Sequence, residues 1–214
     1  DKTERGLVSP DRRAYDKRVS KTVKPGPLGG RMDVRQIPEP SWRLNDAEAV
    51  LIEDDGTYPN NDRLPVLVCA RALKLPPFDA SLAVAALFNQ HHWSGCWVSA
   101  IFTYSHYHST AHEALGVISG EARLRLGGAK EVRIGVAPGD LIILPAGVVH
   151  ECLSASEDFA VVGAYPVGQR PDLCTGAPGE RPGVDRNIAR MPLPTHDPLH
   201  GAEGPVHRYW HIST

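Results

Sequence analysis

The residues best suited to carry chemistry stand in the run HYHSTAHEALGVISG, residues 106–120. His106 and His108 are two positions apart, and on an extended chain side chains two apart point to the same face. Each imidazole then has one nitrogen to offer to a common point. A turn near Ser109 to Ala111 would return Glu113 beside the pair on a neighbouring strand. A third imidazole is available from GDLIILPAGVVH, residues 139–150, where the turn Pro145-Ala146-Gly147 separates two strands and His150 opens the second. Three neutral imidazoles and one carboxylate form a mixed nitrogen and oxygen donor set, which suits Fe, Mn, Ni, Cu, Co or Zn rather than Ca or Mg. The expected cofactor is one divalent transition metal ion held by His106, His108, Glu113 and His150. The alternative reading of these four side chains is a hydrogen-bonded polar cluster without metal.

The elements that must position them read as short strands. From about residue 97 to 167 the segments AIFTYSHYH, EALGVISG, EARLRLGG, EVRIGV, GDLIILPAG and DFAVVGAYPV follow one another with Gly-rich turns between them. In EARLRLGG, Ala122, Leu124 and Leu126 share one face and Glu121, Arg123 and Arg125 the other. Strands of this length and spacing predict a sandwich or small barrel. Earlier, LPVLVCARAL reads as a buried strand. The segment 77–90 reads as one helix, capped by Asp79 or Ser81, with Val84, Leu87 and Phe88 on one face. Phe102 and Tyr104 share the alternation of His106 and His108, so they are expected inside the barrel as pocket wall or core. Leu115 and Val117 follow Glu113 on its face and are expected there too. His112 neighbours Glu113 and should face the opposite way. His91, His92, His196, His200, His207 and His211 are expected in solvated or capping roles. Arg71 reads as a pocket cation or a snorkelling edge residue.

Length and composition narrow the rest. At 214 residues, with no internal repeat, one domain is expected. A net charge of −2 without a basic block in the central region, and no helix pair of DNA-binding type, argue against nucleic acid as a partner. No apolar run approaches a membrane span. The first residues lack the apolar core of a signal peptide, and the chain does not start with Met, which suggests processing or trimming. The four cysteines form no CxxC pair and read as reduced thiols, so a cytoplasmic location is expected. Residues 1–45 form a polar, Lys- and Arg-rich arm with a linker at PGPLGG. After Gly168 the chain is Pro-rich and irregular and is expected to wrap over the barrel. Open strand edges that need covering suggest a homodimer.

The spacing in the two histidine runs resembles the cupin superfamily. Its first motif, G-x5-H-x-H-x(3,4)-E-x6-G, is matched by His106, His108, Glu113 and Gly120. Its second, G-x5-P-x-G-x2-H-x3-N, is matched by Gly139, Pro145, Gly147 and His150. Ala100 stands where the first motif has Gly and Ser154 where the second has Asn, and neither position is a ligand in that superfamily. From about residue 48 onward, DDGTYPNNDRLPVLV, VVGAYPVGQRPDL and MPLPTHDP also resemble the YjlB-type cupins. The resemblance implies an all-β single cupin over 46–214: a double-stranded β-helix, or jelly-roll barrel, with a short helix before the motif strands and irregular terminal extensions. It also implies a divalent-metal-binding protein, with an enzyme acting on a small organic molecule by oxygenase- or isomerase-type chemistry as the first reading. A non-enzymatic barrel that binds or senses a small molecule is the second. The substrate pocket expected is Phe102, Tyr104, Leu115 and Val117.

Overall fold

A computed structural model describes residues 47–210. The arm expected at residues 1–45 and His211 lie outside the described residues.

Among the described residues, short β-branched and aliphatic runs give nine strands: β1 (Glu48–Ile52), β2 (Asn61–Cys69), β3 (Trp93–Ser99), β4 (Glu113–Ser119), β5 (Ala122–Leu126), β6 (Val132–Val136), β7 (Leu141–Leu144), β8 (His150–Ala155) and β9 (Ala160–Pro166). Among the described residues three helices accompany them: α1 (Ala80–Gln90), α2 (Gly183–Arg190) and α3 (Pro205–Tyr209). Six strands form one sheet in the order β1-β2-β7-β4-β9-β3, and three form a second in the order β6-β5-β8. Every neighbouring pair is antiparallel. This is the two-sheet, all-β barrel that the sequence predicts. The sheets also recruit β1 and β2, so the barrel starts well before the motif-bearing region of residues 97–167.

The alternation of each strand decides what it packs against. Leu115, Val117, Leu124, Leu126, Ile142, Leu144 and Val161 fill the space between the two sheets. On the other face of the large sheet, Ala114, Leu141, Ile143, Val162 and Ala164 pack against Val84 and Phe88 of α1 and against Val206 and Trp210 of the tail. Strands β4 and β7 are thus covered on both sides. This explains why LIIL is buried at every position, where a half-solvated strand would alternate.

Three local expectations are corrected. Helix α1 does follow Pro77, and Val84 and Phe88 are its buried residues. However, Asp79 caps nothing with its side chain, because its backbone is left-handed (φ 55°) and only its carbonyl enters the helix, accepting from Ala83 N–H at 3.0 Å. AIFTYSHYH is not one strand. Strand β3 ends at Ser99, and the chain then leaves the large sheet for the small one. There Phe102 O accepts from Cys152 N–H (2.8 Å), and His106 and His150 form an isolated antiparallel bridge. The tail is more ordered than a Pro-rich wrap suggests, carrying α2 and α3 and ending with Trp210 buried against the large sheet.

Candidate metal centre

His106, His108 and His150 converge. Among the described residues they form a group whose ligand atoms all lie within 4.8 Å of one another. Each reaches the centre from a different support. His106 lies in the bridge to β8, with N–H and C=O both paired to His150, at 3.2 and 2.9 Å. His150 opens β8 opposite Leu126 of β5. His108 follows Tyr107, which is bridged to Cys174 of the tail.

The three rings are oriented alike by their backs. His106 Nδ1 meets the Tyr104 carbonyl (3.1 Å), His150 Nδ1 the Val148 carbonyl (3.2 Å), and His108 Nδ1 the Asp172 carbonyl in a short contact. A carbonyl can only accept, so each neutral ring carries its proton on Nδ1. Each Nε2 lone pair is then left for the centre. A backbone carbonyl behind a histidine is the support a metal ligand uses, because it fixes tautomer and ring direction together.

Glu113 starts β4 and lies beside two of the three rings, outside the group whose ligand atoms fall within 4.8 Å of one another. It is buried, with Oε1 3.5 Å from His108 Nε2 and Oε2 3.3 Å from His150 Nε2. Burial alone would favour the neutral acid, but the facing His108 and His150 outweigh it and hold the carboxyl well below the usual carboxylate range. Burial, with the neighbouring His150 as the next cause, pushes the His106 imidazole down to about 3, so that ring stays neutral with its lone pair free. Glu113 Oε2 is buried without a hydrogen-bond partner. Three imidazoles turned inward and an unsatisfied buried carboxylate oxygen beside two of them are a donor set that a divalent cation would satisfy.

The turn that carries His150 is held by buried polar groups. Gly147 has φ +95° and lies so near Asn60 that a Cβ would sit 2.3 Å from the Asn60 carbonyl oxygen. Its N–H donates to the His108 carbonyl at 2.8 Å, linking the two histidine runs directly. Asn61 Nδ2 donates to Ala146 O (3.0 Å), and Ala146 N–H donates to His112 Nδ1 (3.0 Å). His112 therefore points away from the centre, as the alternation requires. It is fully buried, with its ring 4.9 Å from that of Trp210. Its Nε2 lies toward the Pro192 carbonyl without a well-formed hydrogen bond, and burial pushes its pKa down to about 4.

Several residues with site roles were not read from the sequence. Asp172 in the tail accepts from Ser109 N–H and Oγ–H and from Thr110 N–H, clamping the loop between the His pair and Glu113. Tyr165 of β9 stands at right angles to the His108 ring, with centroids 5.8 Å apart, and accepts from Trp97 Nε1 at 3.0 Å. Asn60, Asn61, Tyr165 and Asp172 all fall in the YjlB-like segments. No hydrophobic period marks them, so that resemblance is the one signal that could have found them.

The expected pocket residues divide. Leu115 and Val117 are fully buried in the packed interior below Glu113. Phe102 is half-buried. Tyr104 is 39% exposed, more open than an interior position would make it, because residues 100–105 are not in a regular ladder. The two rings stack at 4.9 Å, and Phe102 meets the His106 ring edge-on at 4.9 Å, so they form an aromatic shoulder beside the centre. Arg71 is exposed, and its N–H donates to Asp140. The outlying histidines serve the tail. His91 Nδ1 lies 2.9 Å from Pro198 O, His92 stacks on His196, and His207 Nε2 meets Thr195 O. All four cysteines are unpaired. No helix among the described residues is long and apolar enough to cross a membrane.

Two antiparallel sheets around one core, with the histidine runs at one end, define a cupin, and residues 99–163 match the Cupin domain profile. Over 165 residues the chain is 39% identical to "Uncharacterized protein YjlB" of Bacillus subtilis (strain 168), covering 77% of this chain and 97% of that protein. The chain belongs to the YjlB-like family of cupins. Among solved structures, acireductone dioxygenase from Bacillus anthracis with a cadmium ion in its active centre overlays 50% of this chain and 82% of its own, at 19% identity and a TM-score of 0.35. The Streptomyces albus enzyme HEPD, with 2-hydroxyethylphosphonate and Fe(II) bound, covers 68% of this chain and 27% of its own, at 13% identity and a TM-score of 0.31. Overlays this loose carry no argument about chemistry.

Proposed function

We propose that this cupin binds one divalent transition metal ion through His106, His108, Glu113 and His150 and uses it as an enzyme on a small organic molecule, by oxygenase- or isomerase-type chemistry. The observation that carries the reading is the common orientation of the three imidazoles. Each has its Nδ1 tied to a carbonyl, and one ligand nitrogen of each ring lies within 4.8 Å of the others, beside a buried carboxylate. A structural cluster of histidines would have no need to turn every lone pair inward.

A bound first-row metal supplies Lewis acidity toward a carbonyl or enolate oxygen and, for redox-active ions, access to O2 chemistry. The protein's own residues contribute the rest. His106 and His150 hold the site at the start of the small sheet. His108 is held by the tail, and Glu113 offsets the charge of the ion. Phe102 and Tyr104 offer stacked aromatic faces at the site, which suits a planar or apolar part of a small ligand. Arm, homodimer and cytoplasmic location belong to the same proposal. The edges of the large sheet at β1 and β3 are the surfaces a second copy would use.

The test is elemental analysis of protein purified without added metal. Near-stoichiometric transition metal in the wild type, lost in His150→Ala, supports the site; a metal-free wild type that takes up none on addition sinks it. Oxygen uptake or isomer formation by the metal-loaded protein with a panel of small enolisable carbonyl compounds tests the enzymatic half. Tight ligand binding without turnover would turn the reading to a non-enzymatic binding barrel.

A further inference from the structure

We propose that Tyr165, steered by Trp97, is a positioning residue that holds the Glu113 carboxylate in the orientation a metal requires. The proposal rests on the metal-site reading above and deepens it.

The placement follows from strand register. On β4 and β9, Ala114 pairs with Ala164 and Leu115 with Gly163, so one step further Tyr165 stands opposite Glu113. Period two then puts both side chains on the inner face, at the separation where cross-strand pairs interact. On the other side of β9, Trp97 of β3 pairs with Gly163. The inner row therefore reads Leu115, Gly163, Trp97, with Glu113 and Tyr165 in the next row toward the histidines.

Gly163 explains how Trp97 reaches Tyr165. A Cβ at this position would lie 2.1–2.5 Å from the indole atoms Cε2, Cζ2 and Nε1. The indole thus lies flat over the bare backbone of β9, which brings its Nε1–H to the Tyr165 hydroxyl, 3.0 Å away. Any side chain at 163 would lift the ring and break that contact.

The direction of hydrogen bonding is then fixed. An indole N–H can only donate, so the phenol oxygen is the acceptor for Trp97. Its own proton is left for another acceptor, and the register that sets Tyr165 opposite Glu113, with the Tyr165 ring against His108, makes the Glu113 carboxylate that acceptor. Trp97 donates to Tyr165 and Tyr165 donates to Glu113. A carboxylate free to rotate between His108 and His150 is thereby tied at one oxygen, with the other left for the ion. Neither Tyr165 nor Trp97 belongs to a histidine motif, and no spacing rule would have joined them to the site.

The experiment titrates metal-free wild type, Tyr165→Phe, Trp97→Phe and His150→Ala with cobalt(II) chloride alone. Affinity and the visible absorption bands of bound cobalt are followed. Tyr165→Phe removes one hydroxyl and should weaken cobalt binding by about 10–100-fold, the usual cost of losing a supporting partner, with shifted bands. Trp97→Phe keeps the phenol but loses its steering, and should shift the bands in the same sense with a smaller loss of affinity. His150→Ala should bind no cobalt. If Tyr165→Phe changes thermal stability but keeps wild-type affinity and bands, the positioning role is overturned and the metal site stands. If Tyr165→Phe does not fold, Trp97→Phe decides, and wild-type bands there overturn the proposal. A wild type that binds no cobalt overturns both the positioning role and the metal site.

Discussion

His106 and His150 come from separate motifs, yet they pair backbone to backbone, each N–H donating to the other's carbonyl at 3.2 and 2.9 Å. The same pairing brings their rings to a centroid distance of 4.1 Å. Two candidate ligands are thus positioned by main-chain bonds, which substitutions elsewhere on the surface would scarcely disturb. The other two depend on more distant support: His108 on the tail and Glu113 on the large sheet.

Removing the His150 ring should therefore abolish metal binding while leaving the bridge in place, since the bridge is made by backbone. His150→Ala should lose more affinity than the roughly 10–100-fold that loss of a supporting hydrogen bond costs a metal site. Ser154→Ala should retain full occupancy, because Ser154 lies on the exposed end of β8. Metal content by elemental analysis checks both, and a His150→Ala protein with wild-type occupancy would exclude the four-ligand set.

Asp172 should matter although it lies far along the chain from the histidines. Its carboxylate accepts from Ser109 twice and from Thr110 once, and its own carbonyl backs His108. Asp172→Ala leaves those donors unpaired in a half-buried loop and should cost about 2 kcal/mol in stability. It should also weaken metal binding, because the loop that places His108 loosens. Denaturant unfolding of metal-free protein followed by a cobalt titration separates the two effects. Unchanged affinity would mean that the backbone bridge to Cys174 is enough to seat His108.

How far the sequence foretold this site depends on which force placed each residue. Strand β5 was legible because alternation reports burial directly, with Ala122, Leu124 and Leu126 inside as the period requires, while β4 and β7 were legible as short apolar runs between Gly turns. The four candidate ligands were legible because a donor set has a fixed spacing. Residues 100–105 were misread because the chain there changes sheets, and a crossing segment keeps strand-like residues without a ladder. Asp172, Asn60 and Tyr165 act through contacts to residues far along the chain, which leave no period. Trp97 could be understood only once Gly163 was seen beneath it.

Gly147→Ala should be among the more damaging single-methyl changes. The residue has φ +95°, a conformation that costs a side chain about 1–3 kcal/mol, and the added Cβ would press on the Asn60 carbonyl oxygen from 2.3 Å. The turn cannot relax without moving His150. Calorimetry should show a clearly lowered Tm, with metal affinity falling in parallel. A wild-type Tm would show that the turn tolerates an alternative backbone.

His112 is buried, and its pKa falls from 6.5 to about 4 in the fold. Between those values the unfolded chain takes up a proton that the folded chain refuses, so stability must fall as pH drops. The contribution is complete above about 6.5, shrinks through the window and is exhausted near about 4. Over the whole window it is on the order of 3 kcal/mol. His106, pushed down to about 3, adds a slope of the same sign. Its neighbour His108 is shifted upward by Glu113 despite burial, so its contribution runs the other way and fades as pH rises through its folded pKa. His112→Asn isolates one of these, because the amide oxygen can still accept from Ala146 N–H while nothing titrates. Urea unfolding of the metal-free wild type and this variant should give curves that diverge between about pH 6.5 and 4. The wild type should lose up to about 1.4 kcal/mol more per pH unit there. Parallel curves would show that His112 takes up its proton without leaving the fold.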